Sequence, residues 1–322
     1  MSIEDLMWVE KYRPARLRDV INQEAVKDRL EPLLEKRAEL PHLLFAGPAG
    51  TGKTTVAMII AKELLHESWS DYTLSLNASD ERGIDMVRER IKVFASYADR
   101  QEGIPFRLVI LDEADEMTRD AQTAMRRIME ETSKLTRFIL ICNYSSNIID
   151  PIQSRCAIFR FQRIDEKGVV DCLSRIAKSE RVKVSGNGVL EAISESTNGD
   201  LRQAINLLQA ASSGGEVTLE KVKLVTGATV RGRVSEIVNL AMQGDFNDAR
   251  LKFVELTRVY GIPESDFLKY TNEEIARGKD NVVDAMRIVA EYDYRLIVGA
   301  NPEIQISAML AELAALKHTR RT

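Results

Sequence analysis

The chain has 322 residues, 44% hydrophobic and 29% charged, enough apolar material for a sizeable core, which excludes a disordered or fibrous protein. Its 45 Lys and Arg against 49 Asp and Glu leave a formal net charge of −4. That is not the basic balance expected of a nucleic-acid binder, although net charge says nothing about how the charges are distributed.

In chain order, the first segment is charged from Glu4 onward and has no apolar run of the kind a secretory signal needs. His42–Ala46 reads as a strand, followed by a glycine-rich turn and a helix over Val56–Leu65. Tyr72–Leu76, Arg107–Leu111 and Phe138–Cys142 read as further strands with helical patterns between them, and Phe159–Phe161 as an edge strand. Continuous apolar strands separated by helices indicate a parallel sheet covered on both faces, hence an α/β domain. After Gln162 the pattern changes to short helices, Glu166–Ser179, Asn187–Ser196, Leu201–Ser212 and Leu219–Thr226, with turn signals at 185–188 and 212–215. A second helical series follows: Val234–Met242, Phe246–Tyr260, Glu264–Ala276, Val282–Val298 and Pro302–Leu316. About half the chain is thus expected to be α/β, followed by two all-helical units.

Cys142, Cys156 and Cys172 are too few and too scattered for a disulfide framework, and His42, His66 and His318 have no zinc-ligand spacing with them. No apolar run approaches the ~20 residues of a membrane span. The expectation is a soluble intracellular protein with reduced thiols, cytoplasmic, or nuclear in a eukaryote.

Gly47-Pro48-Ala49-Gly50-Thr51-Gly52-Lys53-Thr54 is a complete phosphate-binding loop between a strand and a helix. Its glycines let successive N–H groups curl around phosphate oxygens, Lys53 adds positive charge at the β- and γ-phosphates, and the Thr54 hydroxyl is a Mg²⁺ ligand. Downstream, Leu108–Leu111 ends in Asp112-Glu113-Ala114-Asp115. Strand ends are where ligands bind in such sheets, so Asp112 is the candidate for the Mg²⁺ shell and Glu113 for orienting or deprotonating the attacking water. Three further residues follow in order: Asn143 directly after a strand, Arg155 in a Ser-Arg-Cys loop, and Arg202 opening a helix. Alone, each fits a loop or surface residue better; their order after the two phosphate motifs suggests water positioning, an arginine finger and a lid arginine.

This order of motifs resembles the AAA+ ATPases. Trp8-Val-Glu-Lys-Tyr-Arg-Pro14, Asn77-Ala-Ser-Asp-Glu-Arg-Gly-Ile-Asp85 and Ile152-Gln-Ser-Arg-Cys156 narrow the likeness to the replication factor C small-subunit family of clamp loaders, in its archaeal form. The resemblance implies an AAA+ core over 1–162, a helical lid over 163–226 and a C-terminal helical collar over 227–322. It also implies an ATP hydrolase using Mg²⁺, stimulated by DNA and clamp. Its partners would be other copies of the small subunit, a replication factor C large subunit, a PCNA-type sliding clamp and primer–template DNA. ATP binding falls on Gly47–Thr55 (Thr55 included), with Tyr12 and Arg13 beside the base; Lys53, Glu113, Asn143, Arg202 and, in trans, Arg155 carry catalysis. Ala49 stands where a second proline is usual, and Asn147 where a lysine is common.

A helical pattern from Asp85 buries Val87, Ile91, Phe94, Ala95 and Ala98, leaving Arg88 and Lys92 on one flank with Arg82 just ahead. These three are the candidates for sequence-independent contact with DNA phosphates, and a merely solvated charged face fits them as well. An ATP-gated scaffold that barely hydrolyses, or another AAA+ DNA-processing ATPase, are the alternative functions.

Overall fold

The computed structural model describes residues 7–80, 85–97, 104–226, 228–260, 262–278 and 281–319. Five parallel strands, β1 (His42–Ala46), β2 (Thr73–Asn77), β3 (Arg107–Asp112), β4 (Thr136–Cys142) and β5 (Cys156–Arg160), form one sheet in the order β2-β3-β4-β1-β5. Successive strand residues point to opposite faces, and here both faces are buried. Leu43, Phe45, Leu108, Ile110, Ile139 and Ile141 join one cluster, under helices α1 (Glu24–Glu35) and α2 (Lys53–Leu65). Leu44, Val109, Leu111, Phe138 and Leu140 join the other, under α3 (Arg119–Glu131). That double burial is why the strands read as unbroken apolar runs. β2 starts one residue later than expected, because Tyr72 closes a short helical turn from Trp69. β5 starts three residues earlier than expected and lies at the sheet edge, paired with β1.

Beyond the sheet come α4 (Glu166–Ser179), α5 (Val189–Thr197), α6 (Leu201–Ala211) and α7 (Leu219–Val225). The Asp165 carboxylate accepts from Gly168 N at 2.7 Å and that of Asp200 from Gln203 N at 2.9 Å, so two of these helices begin on side-chain caps. The expectation of a purely helical lid needs correction. β6 (Lys183–Ser185) and β7 (Glu216–Thr218) pair in parallel, Val184 opposite Val217. Three-residue strands flanked by glycine-rich turns carry no readable alternation, and only the folded chain brings these two together. The N-terminal turn Trp8–Lys11 also packs here: Trp8, Val9 and Tyr12 sit among Leu173, Ile205 and Leu208.

Contacts divide the chain into two units, Met1–Val222 and Lys223–Thr322. The second contains α8 (Ala228–Met242), α9 (Phe246–Tyr260), α10 (Glu264–Arg277), α11 (Val282–Ile297) and α12 (Pro302–Thr319). Phe253 and Phe267 meet at 4.9 Å in its core. On α12, Ile306, Met309, Leu310 and Leu313 are buried, whereas Ile304 is 64% exposed and Ala311 is exposed. This helix is apolar almost all round, so its periodicity does not divide core from surface.

Candidate nucleotide site

β4 lies between β1 and β3 and is parallel to both, so the chain segments leaving these three strands meet at the C-terminal end of the sheet. They are the glycine-rich loop, Asp112-Glu113 and Asn143. Gly47 N donates to Cys142 O at 3.2 Å, tying the loop to the end of β4. Gly47, Gly50 and Gly52 have φ of +151°, +70° and +97°. A Cβ on Gly47 would lie 2.3 Å from the Phe161 carbonyl oxygen, so glycine is required there sterically as well as conformationally.

Lys53 opens α2 and is 7% exposed. Its Nζ donates to Gly47 O at 2.6 Å, Pro48 O at 2.7 Å and Asn143 Oδ1 at 3.1 Å. Burial pushes its pKa down; Asp112, Cys142 and Asp115 oppose that shift. Thr54 Oγ1 donates to Asp112 Oδ2 at 2.6 Å, and Glu113 N to Asp112 Oδ1 at 2.9 Å. Glu113 has φ +53°, a left-handed backbone that costs a non-glycine residue about 1–3 kcal/mol and that recurs at functional sites.

One cavity gathers these groups. Thr51–Thr55, Asp112, Glu113 and Asn143 line it, with Ala49 and Gly50; Ile164 lines it from the segment after β5, Cys172 and Arg175 from α4, and Leu201, Arg202 and Ile205 from α6; Val9, Tyr12, Arg13 and Pro14 line it from the N-terminal segment. Gly47 and Pro48 contribute through their carbonyls to Lys53. Arg13 is forked onto Glu10, its Nε at 2.9 Å.

Other expected residues lie elsewhere. Arg155 does not line this cavity: it is half-exposed, donates to Pro151 O at 2.7 Å and pairs with Glu130. Lys92 is exposed at the start of the helical turn Lys92–Ser96, and Arg88 belongs to the wider turn Met86–Ile91 that precedes it. Ile91 and Ala95 are fully buried, as the pattern predicts. Arg82 and Ala98 fall outside the described residues.

Three contributors escaped the sequence reading. Asp115 Oδ2 accepts from Asn143 N and Tyr144 N, both at 3.0 Å, so the last residue of the Asp-Glu-Ala-Asp run fixes the loop carrying Asn143. Gln23 is 7% exposed. Its amide donates to Gln162 O at 2.7 Å and accepts from Gln162 N at 3.1 Å, clasping the segment that leads to the lid. Leu201 N donates to Gly50 O at 3.3 Å, joining α6 to the glycine loop. The motif itself signalled Asp115; contacts across 139 and 151 positions had no local signal.

The donor set suits a magnesium nucleotide. Among the described residues no group of three or more His, Cys, Asp or Glu is arranged to hold a metal alone. A threonine hydroxyl beside one carboxylate, at the mouth of a glycine cradle, is the set expected for an ion shared with phosphate oxygens.

The profile "ATPase family associated with various cellular activities (AAA)" matches residues 43–164, "RCF1/5-like, AAA+ ATPase lid domain" matches 171–213, and "Replication factor C C-terminal domain" matches 232–312. The replication factor C small subunit of Staphylothermus marinus is 46% identical over 98% of this chain and 96% of its own length. That of Saccharolobus solfataricus is 45% identical over 97% and 96%, and that of Aeropyrum pernix 46% over 98% of both. Among solved structures, the Thermotoga maritima RuvB Holliday junction branch migration motor is similar in fold, with a TM-score of 0.55 at 20% identity over 80% of this chain and 84% of that one. With relatives at this identity over nearly its whole length and family models matching its core, lid and C-terminal part, the chain belongs to the replication factor C small-subunit family and has the clamp-loader ATPase role in DNA replication.

Proposed function

We propose that this chain is a Mg²⁺-dependent ATP hydrolase that works inside a ring of like and unlike subunits to open a PCNA-type clamp and leave it on primer–template DNA. The observation that carries this reading is the convergence of Lys53, Thr54, Asp112, Glu113 and Asn143 on one cavity that Arg202 also lines. Lys53, already desolvated, exchanges its loop carbonyls for β- and γ-phosphate oxygens when nucleotide enters. Thr54 and Asp112 would hold Mg²⁺, which would supply charge neutralisation at the phosphates. Glu113 takes the proton of the attacking water, which Asn143 orients, and Arg202 brings a lid cation to the phosphates.

Arg155, which is exposed and does not line its own chain's cavity, suits action on nucleotide held by a neighbouring small or large subunit. Lys92, with Arg88 and Arg82, supplies cations for the DNA backbone, which calls for binding that weakens steeply with salt. In this reading the first unit divides at 162 into core and lid, and the collar from 227 binds ring neighbours. No helix among the described residues is long and apolar enough to cross a membrane, in keeping with work on chromosomal DNA in the cytoplasm, or in a nucleus.

The deciding experiment is ATP-dependent loading of a labelled clamp onto primed circular DNA by this chain with a large-subunit partner. Loading should require the chain, Mg²⁺ and hydrolysable ATP; loading that persists when the chain is omitted removes the proposal.

A further inference from the structure

Besides its polar groups the cavity has an apolar lining, contributed by Val9, Ile21, Ile164, Leu201 and Ile205 with the Tyr12 ring. Such a wall suits the flat heterocycle of a nucleotide. Two of its pieces, Val9 and Tyr12, come from a short turn that packs on the lid through the buried Trp8. Two polar tethers add direction to that packing. Trp8 N donates to Gln209 Oε1 at 3.0 Å, on α6. At the other end, Tyr12 Oη donates to Glu180 Oε1 at 2.5 Å, and Lys11 Nζ donates to the same oxygen at 2.6 Å.

Glu180 directly follows α4, and its backbone N donates to Ile176 O at 2.9 Å. The same helix presents Cys172 and Arg175 to the cavity. One rigid element therefore sets both its own cavity residues and, through Glu180, the tyrosine of a segment 168 positions away. The Lys11 and Glu180 side chains are 41% and 17% exposed. At such exposure the ion pair by itself adds little stability. Its consequence is orientation: two donors converging on one oxygen fix the carboxylate, and the carboxylate fixes the phenol. The acceptor stays charged, because the bonds from Lys11 and then Tyr12 hold the Glu180 carboxyl below its usual range.

We infer that Glu180 is a positioning residue for nucleotide binding, holding Tyr12 against the cavity so that the base-side wall is formed before ATP arrives. The inference rests on the nucleotide-site reading above. Apparent affinity scales with the fraction of molecules in the competent arrangement, so loss of the tether raises Kd and leaves the chemical step alone. A hydrogen bond to a charged acceptor makes that effect roughly tenfold.

The test measures equilibrium ATP binding to the full chain, and KM and kcat for ATP in the complete complex with clamp and primed DNA. Glu180→Ala should bind ATP about tenfold more weakly, with KM rising in step and kcat at saturating ATP within about twofold of the parent. Tyr12→Phe, which removes only the donor, should act in the same direction. The double variant should be no weaker than Glu180→Ala, because both changes break one bond. Glu180→Gln keeps an acceptor oxygen and should restore affinity to within about threefold of the parent. Unchanged affinity in Glu180→Ala, losses that multiply in the double variant, a Gln variant as weak as Ala, or a fall in kcat with KM unmoved each overturn the inference. Lys53→Ala, measured alongside, separates the two readings. If it also binds ATP normally, the nucleotide site itself is misassigned; if it loses binding while Glu180→Ala does not, only the positioning role falls.

Discussion

His42 opens β1 with its ring edge-on to Phe138, centroids 5.3 Å apart, and its Nδ1 accepts from Phe138 N at 3.2 Å. Burial, reinforced by the positive charge of Arg137, pushes its pKa down from 6.5 to about 4. In the unfolded chain the imidazole takes up a proton near pH 6.5, and in the fold it does not until about pH 4. Stability is therefore intact above pH 6.5 and falls as the pH drops from 6.5 towards 4, because the unfolded state binds the extra proton. Between pH 7 and pH 5 the loss is about 2 kcal/mol. Denaturant unfolding at the two pH values should show a pH dependence weaker by that amount in His42→Asn; equal slopes would show that this histidine does not stay neutral in the fold. Nothing in the sequence sets His42 apart from His66. The contrast at residue scale is with Lys53, Asp112 and Glu113, whose roles were readable because their chemistry requires those residue types at those spacings.

At the scale of elements, Gly47 couples the glycine loop to the chain leaving β5. A Cβ there meets the carbonyl oxygen of Phe161, and Phe161 N is itself bound to Ala46 O at 2.8 Å, so neither backbone can retreat cheaply. Gly47→Ala should lower the unfolding temperature of the first unit by about 5–10 °C and weaken ATP binding as well. A variant with unchanged melting would show that the loop relaxes freely. The glycine-loop motif foretold a tight turn but not this contact, 114 positions distant. The parallel strands and most helices were legible from their apolar periods, including the exact span Glu166–Ser179. Two kinds of element were not. The helix Glu24–Glu35 contains a proline at position 32 and buries only Val26 and Leu30, too sparse a pattern to stand out. The pair β6 and β7 is too short to have a period at all.

For the whole molecule, the cavity is lined by three segments of one chain, and Arg155 is not among its lining residues but is paired with Glu130. If Arg155 acts on a neighbour's nucleotide, Arg155→Ala should leave ATP binding nearly intact and cut turnover of the assembled complex on the order of 10³-fold. Mixing it with Glu113→Gln chains should then restore part of the turnover, because some interfaces pair an intact Glu113 with an intact Arg155 from next door. Mixtures no faster than either variant alone would assign the arginine a structural role. The sequence by itself determined the α/β core, the helical series after it and the phosphate chemistry, since local periodicity and motif spacing are properties of neighbouring residues. The tertiary structure decided what depends on contacts between distant segments: that β4 separates β1 from β3 and so brings Asn143 to Lys53, that Asp115 and Gln23 fix the loops around the cavity, and that the N-terminal turn packs on the lid through Trp8 and Tyr12. Those pairings minimise exposed apolar surface and unsatisfied polar groups over the whole fold, a condition no stretch of sequence expresses alone.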